Sequence, residues 1–470
     1  MTNPSSFAGR WSTSLRTDWW EPMTSARSIQ RHRRMVGGRR PLITCSRSTS
    51  SSAMCMCAPR PDGGITSQLT SRIRSRINPL PVFLMTMEGR QTLWTLYAIN
   101  FLNAVGMWFF LPLLPIFLGR RGGSAALVGV VFAVGLLANA VIRYPAGWAS
   151  DRFGTRSVLI AAMLATAVLF LAYLLPLPLW AFVGVRLLHG AAQGAYWPAA
   201  NGLLAETTAP ANRGRAFGYM QSTNMAGMLI GPAIGGFIAL FNLGVVFGVA
   251  AVLSALTVVA LATLPNVRAQ PTIEIPARAL HIARMLLPLI LLGAGTSYMI
   301  GAFDTIWSLY LTSRGATTFA VGLSFVAFAL PAMLLSGYAG SLGDRFGPRR
   351  FIVVALFCTA FFAGLYPFIS SVPWLIGLGL IEGMFTISGL PSTMAEVSRL
   401  SEPGQYARTQ AVFQTVQTAV QIAGAIAGGA LFTVSPTYAF LAITLVCLLS
   451  AATAFVPTTH ARTAGESTSY

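Results

Sequence analysis

Residues 216 to 267 carry no charged side chain, and neither do residues 409 to 461. Each run is more than twice the roughly 20 apolar residues that cross the hydrocarbon core of a bilayer, so each holds two crossings. Of the 470 residues, 54% are hydrophobic and 10% charged, against about 25% charged in a soluble globular domain. Thirteen acidic residues cannot coat a soluble chain of this length. An ordinary soluble enzyme is excluded, and a polytopic membrane protein remains.

Cut by length and by polar or Pro/Gly breaks, the chain gives twelve apolar spans, at residues 92–118, 125–148, 157–176, 179–205, 214–240, 243–264, 285–311, 318–342, 350–369, 373–398, 406–432 and 436–457. The two uncharged runs divide at Asn242 and at Ser435-Pro436. The expected organisation is an all-α membrane protein of twelve transmembrane helices. One six-helix bundle covers residues 85–264, a cytoplasmic linker 265–284 holds Pro271 and Pro276, a second bundle covers 285–457, and a cytoplasmic tail covers 458–470. Residues 1–84 are rich in Arg and Ser without an apolar period, which predicts disorder. This extension is expected to be sequence read upstream of the true start, with Met85 or Met87 opening directly onto the first span; a real cytoplasmic extension is the alternative.

All 32 basic residues are arginine, which removes any phosphate-loop or Schiff-base lysine and argues against ATP-driven pumping by this chain. The net charge of +19 divides into +10 in residues 1–84 (thirteen arginines, three acids) and +9 in the rest (nineteen arginines, ten acids). With the N-terminus inside, the inner loops hold twelve arginines and the outer loops three, Arg120, Arg121 and Arg314. That asymmetry predicts cytoplasmic termini in a plasma (inner) membrane. Five scattered cysteines and four scattered histidines suggest neither a metal site nor a disulfide framework, and no cofactor is implied. The basic extension lacks a nucleic-acid recognition fold, so no nucleic-acid partner is expected.

An internal repeat is the strongest signal. An offset of 193 residues relates Gly122 to Gly315, Gly147 to Gly340, Asp151 to Asp344, Arg152 to Arg345, Gly154 to Gly347 and Arg156 to Arg349. It continues through Gly190 and Gly383, Pro198 and Pro391, Arg215 and Arg408, and Gly235-Gly236 and Gly428-Gly429. Two parallel, pseudo-symmetric halves follow. The loop Gly147-Trp-Ala-Ser-Asp151-Arg152-Phe-Gly154-Thr-Arg156 and its copy from Gly340 through Asp344, Arg345 and Gly347 to Arg349 resemble the loop signature of the major facilitator superfamily over about residues 88–458. The resemblance implies the major facilitator fold and a cytoplasmic latch, with Asp151 facing span 11 near Arg408 and Asp344 facing span 5 near Arg215.

Span 5 sharpens the resemblance. Gly218, Gly227, Gly231-Pro232 and Gly235-Gly236 are similar to the signature of that superfamily's drug:proton antiporters; a generic small-residue packing face is the alternative. In span 4, Arg186-Leu-Leu-His189-Gly190 is like a family pattern linked to proton coupling, with His189 where glutamine is usual. Charges deep in a bilayer are costly and therefore functional candidates. Those here are Arg143, Arg186, Asp304 and Glu382. The last three lie about 10 to 14 Å from the outer ends of spans 4, 7 and 10 at 1.5 Å per residue, spans with which, as the resemblance implies, the family lines its central cavity beside span 1. Asp304 and Glu382 are the expected proton-binding carboxylates, with Arg186 and His189 as further coupling candidates; a static pair of Arg186 with a carboxylate is the alternative. Asn100, Gln193 and Tyr196 are the expected substrate-cavity residues.

These features predict a monomeric secondary transporter, not an enzyme, exporting an amphipathic small molecule or drug in exchange for protons by alternating access. A symporter or uniporter for a sugar, organic acid or similar nutrient is the alternative, and a non-transporting membrane receptor a remoter one.

Overall fold

The computed structural model describes residues 87–209, 212–266, 279–386, 389–401 and 406–455. Every regular element among them is helical, and the helices make twelve spans. Span 1 runs through Met87–Phe110 and Leu114–Arg120, tightened at Leu111–Leu113 where Pro112 and Pro115 remove amide donors. Spans 2 to 6 are Ala125–Phe153, Thr155–Ala172, Ala181–Thr207, Arg213–Phe241 and Leu243–Leu261. Span 7 joins Ala279–Met285 to Leu287–Ser313, and spans 8 and 9 are Thr318–Phe346 and Pro348–Leu365. Span 10 is described over Val372–Thr386 and Gly389–Leu400. Spans 11 and 12 are Tyr406–Val434 and Pro436–Ala452.

Nine helices among the described residues are long and apolar enough to cross a membrane. Span 4 is equally long but carries Arg186 and His189. Spans 8 and 10 contribute the shorter apolar stretches Thr318–Pro331 and Val372–Thr386. The expected extension 1–84, residues 267–278 of the linker, and the tail lie outside the described residues.

The sequence repeat is a repeat of local structure. The hydroxyls of Ser124 and Thr317, 193 residues apart, cap spans 2 and 8 by accepting from Leu127 N and Ala320 N, each at 3.2 Å. The positive-φ glycines are Gly122 (88°), Gly315 (84°), Gly154 (91°) and Gly347 (91°), two pairs at the same offset. Only glycine enters that region without a Cβ penalty, so the turns between spans 1 and 2 and between spans 2 and 3 recur with their glycines.

Packing repeats as well. Gly190 of span 4 lies against the carbonyl of Gly135 in span 2, and Gly383 of span 10 against that of Phe328 in span 8. The halves meet along two related seams. Gly129 of span 2 lies against Ala425 and Gly429 of span 11, while Gly322 of span 8 lies against Pro232 and Gly236 of span 5. Hydrogen bonds fasten both: Ala126 N donates to Thr433 Oγ1 (3.1 Å) and Thr318 Oγ1 to the Gly236 carbonyl (3.1 Å). Both seams lie at the arginine-poor end of the spans. Eighteen residues are five helical turns, so Gly147 shares a face with Gly129 on span 2, and Gly218 with Gly236 on span 5. At Gly147 and Gly218 no described residue comes within 4 Å of a Cβ on that face. The halves touch at the arginine-poor end, and toward the arginine-rich end Tyr144 is 78% exposed.

Candidate functional site

Between the halves lies a cavity of about 250 Å³. Span 1 contributes Trp108, span 5 Met225 and Met228, and span 7 Thr296, Met299, Ile300, Phe303, Asp304 and Trp307. Span 8 adds Ser324, Phe325 and Phe328; the end of span 9 adds Tyr366; span 10 adds Gly379, Glu382 and Thr386. The wall is aromatic, thioether and aliphatic apart from two carboxylates and a few hydroxyls. Such a surface takes a flat or irregular apolar body, because methionine adapts its shape and rings stack, and it offers a cation two counter-charges.

Glu382 is 2% exposed. Its Oε2 accepts from the Tyr366 hydroxyl at 2.5 Å, and its Oε1 has no hydrogen-bond partner. Tyr366 is fixed in turn by the Tyr310 hydroxyl, which donates to the Tyr366 carbonyl at 2.7 Å. Asp304 is partly exposed to the cavity from span 7. One turn on, Trp307 Nε1 donates to Ser324 Oγ at 2.9 Å, tying spans 7 and 8 together beside it. Trp307 therefore belongs to the cavity wall; its position near a span end does not make it a membrane-surface anchor.

Arg186 and His189 lie apart from that wall, inside the N-terminal half. Arg186 is 4% exposed; its guanidinium sits 5.7 Å from the Phe110 ring and 5.6 Å from that of Phe132. Its Nε and Nη1 have no hydrogen-bond partner, and Asp304 is the carboxylate within its Coulombic range. Gly135 leaves room for it, since a Cβ there would stand 2.7 Å from Nε. His189 is fully buried, stacks on Phe110 at 5.2 Å, meets Phe170 edge-on at 4.7 Å, and has no partner at either nitrogen.

The expected substrate residues are engaged with one another. Asn100 Nδ2 donates to the Met220 carbonyl (2.9 Å) and Thr223 Oγ1 (2.8 Å), Tyr196 donates to Asn100 Oδ1 (3.3 Å), and Gln193 donates to Asn103 (3.2 Å) and Thr166 (3.4 Å). All are buried between spans 1, 3, 4 and 5, and none lines the cavity. Amides inside an apolar run signal a polar partner, and here a neighbouring helix supplies it. Arg143 is exposed and bonds Asn139 at 2.8 Å.

Of the expected latch, Arg152 lies over the Trp148 ring (5.4 Å) and Arg215 donates to the Tyr219 hydroxyl (3.3 Å). The side chains of Asp344 and Arg408 lie outside the described residues, so both expected latch pairs do too. In span 5, Gly227, Gly231 and Gly235 pack on Ala104, Trp108 and Phe109 of span 1, and Gly236 on span 8.

Sequence reasoning passed over Tyr366, although the repeat carried the signal. The offset of 193 equates Tyr366 with Tyr173, Glu382 with His189, Thr359 with Thr166 and Thr386 with Gln193. The Gln193–Thr166 bond of one half stands where Thr359 and Thr386 bond at 2.7 Å in the other. The equivalent positions thus form a sealed His189 pocket in the N-terminal half and a Glu382 site lining the cavity in the C-terminal half.

The family model of the Major Facilitator Superfamily matches residues 96–298 and again 289–469. The chain belongs to the Major Facilitator Superfamily. It is 29% identical over 351 residues to the multi-drug resistance efflux pump PmrA of Streptococcus pneumoniae serotype 4, covering 70% of this chain and 86% of that one. It is 25% identical over 342 residues to the class B tetracycline resistance protein of Escherichia coli, covering 70% and 85%. Among solved structures, a bacterial homologue of the human lysosomal transporter Spinster, in an inward-facing occupied conformation, matches with a TM-score of 0.68 at 14% identity over 79% of this chain and 97% of that chain. At that identity the likeness concerns the fold alone. This superfamily member is a multi-span membrane protein of a transporter family, with drug-efflux relatives.

Proposed function

We propose that this chain exports amphipathic cations in exchange for protons, with Asp304 and Glu382 as the shared proton and substrate sites. The observation that carries the reading is the pairing of two carboxylates with an otherwise apolar, aromatic and methionine-rich cavity between the halves. An ionised carboxylate alone in such a wall is costly, so the empty site is stable when protonated or when a cation replaces the proton. A cation entering from the arginine-rich end displaces the protons toward that side; after the halves rock over, it leaves on the other side and protons from there refill the carboxylates. Arg186, buried within range of Asp304, makes an ionised Asp304 tolerable between proton release and substrate capture.

The arginine asymmetry supports an insertion with that end in the cytoplasm of a bacterial inner membrane. Drug-efflux relatives support the substrate class. A sugar or organic acid would call for a hydrogen-bonding wall, whereas the amides available for that purpose are satisfied inside the N-terminal half. Transport by Asp304→Asn and Glu382→Gln variants tests the reading. Loss of proton-driven export in either, with the protein still inserted, is the expected result; unaltered coupling in both overturns it.

A further inference from the structure

A second cavity, of about 610 Å³, opens at the arginine-rich end between spans 9, 10 and 12, far along the helices from the carboxylates. Arg349 and Arg350 from the start of span 9 and Arg399 from the end of span 10 line it together with Glu396, which lies 3.7 Å from Arg399. Its remaining wall is apolar, including Val354 and Phe455, which are 52% and 73% exposed. Along the same outward face of span 9, Phe357 and Phe361 continue the apolar strip at one-turn spacing, 45% and 65% exposed.

The N-terminal half supplies an internal comparison. At the 193-residue offset, Ser157 stands for Arg350 and Glu206 for Arg399, so both positions lose their positive charge. There the space beside Gly154 is filled by Asn266, which donates to the Phe153 carbonyl (3.4 Å) and Ser157 Oγ (3.3 Å). Beside Gly347, its counterpart, no described residue lies within 4 Å. The same architecture is thus neutral in one half, where Arg156 stands with Glu206, and carries three arginines against Glu396 in the other.

We infer that the cavity lined by Arg349, Arg350 and Arg399 binds the headgroup of an anionic glycerophospholipid, with an acyl chain lying along Val354, Phe357 and Phe361. A net positive pocket at a membrane surface attracts anionic headgroups by about fivefold in affinity for each arginine. The contiguous apolar strip selects a lipid over a free phosphate, which has no use for it. The assignment rests on the arginine-rich end facing a lipid leaflet, and a binding measurement in micelles separates it from the transport reading and from the direction of insertion.

The test is native mass spectrometry of the purified full chain released from micelles doped with equal phosphatidylglycerol and phosphatidylcholine. Preferential retention of phosphatidylglycerol is expected, falling about fivefold in Arg350→Gln and again in Arg399→Gln, and unchanged in Arg120→Gln at the opposite end. Equal retention of the two lipids by the unaltered chain overturns the inference, as does undiminished retention in Arg350→Gln, an exposed position whose replacement leaves the helices intact. Displacement of phosphatidylglycerol by millimolar inorganic phosphate assigns the site to a free anion and also overturns it.

Discussion

Arg186 is a buried cation with two unpartnered nitrogens and aromatic rings on two sides. Breaking or omitting a partner for a buried charge costs several kcal/mol, and Asp304 is a carboxylate within Coulombic range of this one. Glu382 depends on Tyr366 in a similar way. Tyr366→Phe would leave the carboxylate without its donor, a loss of about 1.5 to 3 kcal/mol for a bond to a charged group. The expected outcome is export weakened by roughly tenfold or more, measured as initial rates against a Tyr310→Phe control, which removes a ring-fixing bond but no carboxylate partner. At Gly154, φ is 91° and Asn266 fills the space a side chain would need. Gly154→Ala should therefore cost about 1 to 3 kcal/mol and lower the melting temperature in micelles, whereas Gly147→Ala, with open space beside it, should not. Asp304 and Glu382 were legible because a charge inside an apolar run is conspicuous wherever it points. Tyr366, Ser324 and the cavity side of Trp307 were not, because a hydroxyl or indole in such a run is common and only the packed faces decide what it meets.

Span 5 shows how one helix serves two contacts. Gly227, Gly231 and Gly235 fit against span 1, while Gly236 fits against span 8 and Gly218, on that same face, has no described residue within 4 Å. Bulk at the two ends of the face should then act in opposite senses. Gly236→Leu would wedge the closed seam and Gly218→Leu would hinder closure at the other end. With Met225→Cys as a reporter in the cavity wall, Gly236→Leu is expected to raise labelling by a membrane-impermeant thiol reagent from the outside, and Gly218→Leu to raise it from the cytoplasmic side. Identical labelling in both would contradict the rocking account. The pairing of spans was readable from the repeat, since the offset of 193 fixes which glycine in one half answers which in the other.

At the scale of the whole molecule, two copies of one six-helix plan have diverged in their polar centres. The N-terminal copy keeps Arg186 and His189 sealed among aromatic rings; the C-terminal copy opens Asp304, Glu382 and Tyr366 to the space between the halves. One half thus holds Arg186 and the other holds Asp304 and Glu382, and the proposed rocking of the halves would change the distance between them. Twelve spans and the family were accessible from runs, arginines and the repeat. That the C-terminal half supplies the polar groups of the cavity was not, since the same periodicity places His189 and Glu382 alike. The central claim is that cation export and proton movement share one site. Inside-out vesicles carrying the chain, given an acid interior and a pH-sensitive dye, test it most directly as lipophilic cations, neutral drugs and sugars are added in turn. Collapse of the gradient by a lipophilic cation, absent without the protein and lost in Asp304→Asn with Glu382→Gln, is the predicted result; a gradient unmoved by every cation, or one collapsed equally in that double variant, would contradict the account.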